Sequence, residues 1–184
     1  MQRKKKIIAI SGMPGAGKGV AAEAAKQLGL TVLVLGDVIR EETERRGLSP
    51  TPENVGNVML QLRVDEGPAA VARRLLPKVE AVQSATVVVE GVRSLRELEE
   101  LKSRFDVVTV AIHASPQTRF QRLLSRGRSD DPKNWNVFQE RDMRELDVGL
   151  GHVIALAEAI VINDTSISQL QSDFKHAVSK LTPQ

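Results

Sequence analysis

The chain has 184 residues, of which 41% are apolar and 27% are charged, a balance typical of a single globular domain. It contains no cysteine, which excludes disulfides and thiolate metal sites, and no apolar run reaches the about 20 residues that span a bilayer. We therefore expect a cytoplasmic protein with no membrane partner. The net charge of +3 suits an anionic partner, either a small molecule or nucleic acid.

Strand and helix patterns alternate along the chain. Short apolar runs predict five buried strands, at Lys6–Ser11, Thr31–Leu35, Ala85–Val89, Val107–His113 and Ala159–Ile162. Helical patterns predict the segments between and after them, at Gly19–Leu28, Val38–Arg46, Glu53–Glu66, Ala69–Gln83, Ser94–Arg104, Pro116–Arg126, Asn136–Gly149 and Ile167–Leu181. Pro77 should kink or interrupt the fourth helix. The alternation implies a three-layer α/β fold with a five-stranded parallel sheet, helices on both faces, and ligands at the carboxyl ends of the strands.

A glycine-rich turn follows the first strand. It reads Gly12-Met13-Pro14-Gly15-Ala16-Gly17-Lys18-Gly19 and matches the phosphate-binding loop pattern G-x-x-x-x-G-K. Its backbone N–H groups and the dipole of the following helix can hold phosphate oxygens, and Lys18 can reach the β- and γ-phosphates of ATP. Gly19 and Val20 complete the ATP-binding segment. Because Gly19 replaces the usual Ser or Thr, Mg²⁺ must rely on phosphates, waters and a carboxylate elsewhere.

This loop resembles that of the adenylate-kinase-like P-loop nucleoside monophosphate kinases, whose form is G-x-P-G-x-G-K-G. Further matches extend the resemblance to nearly the whole chain, as one P-loop kinase domain over residues 1–184. The chain looks most like an archaeal group of adenylate-kinase-like proteins, with dephospho-coenzyme A kinase as a more distant relative. The resemblance implies Mg²⁺ as cofactor, a helical acceptor-binding insert over about residues 37–83 and a short lid over about residues 126–142.

Two motifs that follow strands resemble the acceptor-binding motifs of these kinases. Gly36-Asp37-Val38-Ile39-Arg40 is similar to Gly-Asp-x-x-Arg, whose arginine holds the acceptor phosphate. Glu90-Gly91-Val92-Arg93 stands where the family has Asp-Gly-Phe-Pro-Arg, so Arg93 is expected to be a second clamp. Glu90 ends an apolar strand, where a carboxylate can hold Mg²⁺ through water. The alternative is that Asp37 caps a helix and the arginines are ordinary surface charges.

Arginines recur around the predicted lid. In the resembling kinases, a pair with the spacing of Arg122 and Arg126 offers one arginine to the adenine and one to the phosphates. Arg128 and Arg141 flank a segment with Ser129-Asp130-Asp131 that looks like a shortened lid. Phosphoryl transfer needs charge stabilisation and exclusion of water, which a mobile arginine-rich lid provides. The alternative is a solvated basic surface that binds nucleic acid.

Weaker signals mark other positions. Asn57, Gln61 and Arg63 are candidates for acceptor contacts, or are the polar face of an amphipathic helix. The loop Asn163–Thr165 follows the fifth strand, where the family packs the chain around adenine. Trp135 is expected to pack at a helix entry rather than to stack on a base.

The residues that the reaction requires depend on whether the acceptor group is a phosphate or a hydroxyl. A phosphate is already an anionic nucleophile and needs arginines, whereas a hydroxyl, as in dephospho-coenzyme A, needs a base, for which Asp37 is placed. Because Arg40 and Arg93 favour a phosphate, we predict transfer of the γ-phosphate of ATP to a nucleoside monophosphate or a similar small anionic acceptor. The predicted catalytic residues are Lys18, Asp37, Arg126, Arg128 and Arg141.

Two alternatives stay open from the sequence. One is phosphorylation of a hydroxyl, with Asp37 as the base. The other is a P-loop ATPase or regulatory nucleotide-binding protein that recruits RNA or a protein partner. Aromatic residues make up only 3% of the chain, which argues against binding of single-stranded nucleic acid.

Overall fold

The computed structural model describes residues 4–128 and 131–182 and is built around one parallel sheet. Its five strands are β1 (Lys6–Ser11), β2 (Thr31–Val34), β3 (Thr86–Glu90), β4 (Asp106–His113) and β5 (Ala159–Ile162). They lie in the order β2-β3-β1-β4-β5, and every neighbouring pair is parallel. The predicted five-stranded parallel sheet is confirmed.

Helices connect the strands and cover both faces of the sheet. Within the described ranges they are α1 (Lys18–Gln27), α2 (Leu35–Arg45), α3 (Pro52–Glu66), α4 (Ala70–Ala81), α5 (Leu95–Lys102), α6 (Pro116–Arg126), α7 (Trp135–Val148), α8 (Leu150–Ala155) and α9 (Ile167–Leu181). Strand β1 has Ile7 and Ala9 in one core, with residues of α2–α5 and α8, and Ile8 and Ile10 in a second core with α1 and α9. This alternation makes three layers, because successive strand residues point to opposite faces.

Helix α2 begins earlier than the sequence predicted. It starts at Leu35, directly after β2, so Asp37 lies in the first turn of the helix and Val34 is the N-cap residue. The interpretation of Asp37 as a helix cap is therefore wrong. Burial of Leu35, which is 3% exposed, and of Val38 explains the early start, because both side chains enter the core only if the backbone is already helical.

Two other local features differ from the sequence prediction. Pro77 does not interrupt helix α4, which continues to Ala81. Its Leu75, Leu76 and Val79 are buried, and this packing offsets the hydrogen bond that a proline cannot make. Helix α8 was not expected; Gly149, whose φ of +107° favours glycine, ends α7 and starts α8.

An ionic cluster links the helices of the predicted acceptor-binding insert. The Glu42 carboxylate on α2 is buried and accepts hydrogen bonds from Arg45, Arg46 and Arg74. Arg74 on α4 also binds Glu66 at the end of α3. The hydrogen bond from Arg45, followed by those from Arg46 and Arg74, holds the pKa of Glu42 far below its usual range, although burial opposes it.

This cluster predicts a pH-dependent stability. Replacing Glu42 with glutamine should lower the free energy of unfolding at neutral pH by about 2–3 kcal/mol, because three arginines lose their carboxylate partner. The folded pKa of Glu42 is depressed, so its stabilisation is present above the unfolded pKa of about 4.3 and is lost as the pH falls further. Glu42→Gln should therefore lose less stability than the parent protein on acidification.

Urea unfolding at neutral pH and at about pH 3 measures both effects. Glu44→Gln, an exposed position on the same helix, is the matched control. A stability for Glu42→Gln equal to that of the control would show that the cluster does not stabilise the fold.

Candidate active site

The turn that follows β1 is built from close backbone contacts. Gly12 and Gly17 have φ values of +149° and +106°, a region that favours glycine. A Cβ atom on Gly12 would lie 2.3 Å from the carbonyl oxygen of Ile112, and one on Gly17 would lie 2.3 Å from Nδ2 of Asn163. The two glycines therefore let the turn pass against β4 and the loop after β5 without a clash.

Lys18 is the first residue of α1 and folds back over this turn. Its Nζ donates to the carbonyl oxygens of Gly12, at 2.7 Å, and Met13, at 3.3 Å. Burial lowers the pKa of Lys18 to about 8. The ammonium group is thus held within the loop, where the phosphate tail of a nucleotide would replace the two carbonyl partners.

The charges of four side chains from three segments act on the pKa of Lys18. After burial, the charge of Glu90 at the end of β3 has the largest effect on the Lys18 pKa and raises it. Arg93, from the loop after β3, and Arg141 on α7 lower the pKa, whereas Glu145, also on α7, raises it. Glu90 is paired with Ile10 of β1, and Ser11 donates to the carbonyl oxygen of Val92, at 2.8 Å, so the loop that carries Arg93 lies beside the turn that carries Lys18. Glu145 was not predicted from the sequence.

The predicted adenine side lies beside the same turn. The buried Asn163 donates through Nδ2 to the carbonyl oxygen of Ala16, at 2.7 Å, and accepts from Arg122 Nη2, at 3.4 Å. Arg122 Nη1 is buried and has no hydrogen-bond partner within residues 4–128 and 131–182. Arg122 is therefore next to the loop, and its role in ATP binding stays a prediction.

Arg119 ties the loop to two helices. Its guanidinium is 4% exposed and forms two hydrogen bonds with Asp142 on α7, of 2.8 and 2.5 Å. It also donates to the carbonyl oxygen of Pro14, at 3.2 Å, and lies 4.9 Å from the centre of the Phe138 ring. Trp135 packs against this same ring, which confirms its predicted packing role. No local sequence pattern indicates these contacts, because the partners of Arg119 lie on separate elements.

The lid arginines meet at one buried carboxylate. Asp131 accepts hydrogen bonds from Arg126 Nε and Nη2, at 2.9 and 2.5 Å, and from the backbone N–H of Arg128, at 3.0 Å. Arg141 Nη1 lies 3.6 Å from the same side chain. The hydrogen bond from Arg126 is the main reason that the pKa of Asp131 is lowered. The predicted lid residues Ser129 and Asp130 lie outside the described residues.

Both predicted acceptor clamps are paired with carboxylates. Arg40 forms an ion pair with Asp37, and both side chains are about half exposed. Arg93 Nη1 donates to Glu145 Oε1, at 3.0 Å, and its backbone N–H donates to Glu97, at 2.7 Å. Among the described residues, the recorded hydrogen bonds and ion pairs of Asp37 and Arg40 join no other predicted site residue.

The weaker acceptor candidates on α3 serve as local ties. Arg63 donates to Glu97, at 3.0 Å, and Gln61 donates to Asp65 on its own helix, at 2.7 Å. Arg63 therefore links α3 to the carboxylate that also holds the backbone of Arg93. This contact supports the loop after β3.

The loop and Glu90 fit a magnesium nucleotide. Gly19 is exposed and supplies no hydroxyl group, as expected. Glu90 is a half-buried carboxylate whose charge acts on Lys18, so it could hold Mg²⁺ through a water molecule. In the described ranges no three acidic or histidine side chains form a metal cluster.

The fold and the phosphate-binding turn define a P-loop kinase-like protein. A family model described as an AAA domain matches residues 11–139. The chain is 46% identical over 180 residues to the UPF0200 protein of Pyrococcus abyssi, which covers 95% of this chain and 96% of the relative. It is 45% identical over 177 residues to the UPF0200 protein of Methanocaldococcus jannaschii, and the match covers 95% of this chain and 90% of the relative. The chain belongs to the UPF0200 family, and the predicted resemblance to an archaeal kinase-like group is confirmed.

Solved structures share the fold at low identity. TT1252 from Thermus thermophilus matches with a TM-score of 0.63 and 22% identity, over 98% of this chain and 100% of that one. The shikimate kinase from Acinetobacter baumannii, solved with shikimate, matches with a TM-score of 0.61 and 17% identity. This match covers 100% of this chain and 97% of the shikimate kinase. These likenesses support the P-loop kinase fold. Within the described residues, no helix is both long and apolar enough to cross a membrane.

The Arg119 tie predicts a large effect on stability. Arg119→Met removes the guanidinium but keeps much of the side-chain volume, so Asp142 loses its partner in a largely buried position. We expect the free energy of unfolding to fall by about 3 kcal/mol, as for other broken buried ion pairs. Denaturant unfolding measures the change, with the exposed Arg144→Met on α7 as the matched control. Equal stabilities of the two variants would contradict the predicted role of Arg119.

Proposed function

We propose that this protein is an ATP-dependent phosphotransferase that moves the γ-phosphate of ATP to a nucleoside monophosphate or a similar phosphorylated small molecule. The observation that carries the proposal is that Lys18, Glu90 and the loop with Arg93 lie side by side at the carboxyl end of the sheet. Lys18 folds over the turn after β1, Glu90 is paired with Ile10 of β1, and Ser11 donates to the carbonyl oxygen of Val92, at 2.8 Å. Such a group could hold a triphosphate tail, a metal ion and an acceptor within one site. Transfer of a phosphoryl group requires these three in line.

The ATP side of the proposal rests on the turn and its flanking residues. The backbone amides of Gly12–Val20 would hold the phosphates, with Lys18 turning from its two carbonyl partners to the β- and γ-phosphates. Arg122 and Asn163 would lie beside the adenine. Mg²⁺, if held through water by Glu90, would neutralise charge on the phosphates.

On binding of ATP, the arginines of the lid would exchange the Asp131 carboxylate for the phosphate oxygens of the nucleotide. In the described structure the Asp131 carboxylate neutralises Arg126 and approaches Arg141. A bound triphosphate offers a stronger set of anionic oxygens, so these two arginines would turn from Asp131 to the phosphoryl group. The side chain of Arg128, whose backbone N–H binds Asp131, would join them there. This exchange would stabilise the negative charge that spreads over the transferred group in the transition state.

On the acceptor side, Arg40 and Arg93 would grip the acceptor phosphate. Each has donor groups left over, because Asp37 and Glu145 occupy only part of each guanidinium. The acceptor phosphate is itself the nucleophile, so no base is required. Asp37 would then orient Arg40.

A second candidate is phosphorylation of a hydroxyl group. The observation that favours it is that both acceptor arginines are already paired with carboxylates, so the acceptor side carries little net positive charge. In this case Asp37 would accept the hydroxyl proton while the oxygen attacks the γ-phosphorus and ADP leaves.

Lys18→Ala tests the proposal as a whole. We expect the acceptor-dependent release of ADP to fall by about 100-fold or more, because the loop would lose the cation that we propose binds the β- and γ-phosphates. The assay uses ATP, Mg²⁺ and a panel of nucleoside monophosphates plus dephospho-coenzyme A. Lys26→Ala, an exposed position on the same helix, is the control, and circular dichroism confirms that both variants are folded.

Near-normal turnover by Lys18→Ala would contradict the assignment of the loop. ADP release that no member of the panel accelerates would contradict phosphotransfer to these acceptors and point to a simple ATPase.

Asp37→Asn separates the two candidate reactions. Transfer to a hydroxyl should fall by about 100-fold, because the proton acceptor is lost, whereas transfer to a phosphate should change by less than about tenfold. The measurement is kcat with the best phosphate acceptor and with dephospho-coenzyme A, using Glu44→Gln as the control on the same helix. A large loss with a phosphate acceptor would exclude the purely orienting role of Asp37.

A further inference from the structure

Glu145 on α7 is a carboxylate of the site that the proposed mechanism leaves without a task. Its side chain is only 12% exposed. Oε1 accepts from Arg93, at 3.0 Å. Oε2 is buried and has no hydrogen-bond partner in the described part of the chain. A buried carboxylate oxygen without a hydrogen-bond donor is unfavourable, so a donor supplied by a ligand would stabilise it.

The position of Glu145 ties it to the reacting groups. Its charge acts on Lys18 together with those of Glu90, Arg93 and Arg141. Arg141 precedes it by one turn of α7, and the contact of Asp142 with Arg119 fixes this helix to the loop. Glu145 therefore belongs to a rigid part of the site.

Arg93 and Glu145 carry opposite charges, so they would bind different groups of one ligand. The Arg93 side chain is 40% exposed and uses one N–H on Glu145, so other N–H groups can bind an anion. Glu145 Oε2 can accept a hydrogen bond from a ligand, but its negative charge repels the oxygens of a phosphate. A ligand that satisfies both has a hydroxyl group close to its anionic group.

We propose that Glu145 is a specificity-determining residue of the acceptor site, whose Oε2 accepts a hydrogen bond from a hydroxyl group of the acceptor while Oε1 keeps Arg93 in place for the acceptor's phosphate. The acceptor is then a hydroxyl-bearing phosphate compound, such as a ribonucleotide, and an oxyanion without a hydrogen-bond donor is disfavoured. This inference rests on the proposed phosphotransferase function, because that function places the acceptor next to Arg93.

Binding of three probes tests the inference without turnover. Calorimetry with a non-hydrolysable ATP analogue and Mg²⁺ at saturation measures the affinity for AMP, for 2′,3′-dideoxy-AMP, which lacks the ribose hydroxyls, and for sulfate, which has no donor. We expect the parent protein to bind AMP about tenfold more tightly than the dideoxy compound. In Glu145→Gln this ratio should approach one, and sulfate should bind several-fold more tightly because a repelling charge is gone.

Two further variants distinguish a specific role of Glu145 from a structural one. Glu140→Gln, an exposed carboxylate on the same helix, should leave all three affinities unchanged. Glu145→Asp keeps the charge and should retain part of the preference for AMP. A purely structural role for Glu145 would instead change the three affinities in the same proportion.

Three outcomes would overturn the inference. The first is that Glu145→Gln leaves the ratio of the affinities for AMP and dideoxy-AMP unchanged. The second is that it changes the affinities for all three probes in the same proportion. The third is that the parent protein does not bind AMP. The failure of the proposed function has a separate signature, namely that no acceptor accelerates ADP release. The ratio of affinities is measured without that reaction, so the two failures are distinguishable.

Discussion

The close backbone turn between β1 and α1 is the feature on which the remaining site depends. Three side chains from separate elements hold it through its carbonyl oxygens: Lys18 at Gly12 and Met13, Arg119 at Pro14, and Asn163 at Ala16. These contacts occupy carbonyl oxygens at four positions of the turn. The lack of a Cβ at the glycines is what allows the turn to pass so close to β4 and the loop after β5.

Charge pairing is the second organising feature of the site. Three arginines that could bind phosphates are held by a carboxylate in the described structure: Arg126 by Asp131, Arg93 by Glu145, and Arg40 by Asp37. Such pairs keep the cations ordered and limit repulsion among them. An anionic ligand then competes with a carboxylate for each arginine, so specificity depends on what the ligand offers in addition to charge.

The sequence indicated much of the fold because its signals are local. The apolar run Lys6–Ser11 and the glycines after it are contiguous, so the strand, the turn and the helix of the phosphate-binding loop could be predicted. The first residue of α2, the continuity of α4 at Pro77 and the presence of α8 could not, because burial against the sheet overrides local preference at these points. Arg93 could be found by resemblance, but its partner Glu145 could not.

The sequence by itself determined the class of the protein: a parallel α/β sheet that carries a phosphate-binding loop, since hydrophobic period and glycine spacing are properties of neighbouring residues. Only the tertiary structure decided which charges meet. Arg119 and Asp142 are 23 positions apart, and Arg93 and Glu145 are 52 positions apart. Packing of α6 and α7 beside the loop sets these distances, and no local pattern encodes which carboxylate each arginine reaches.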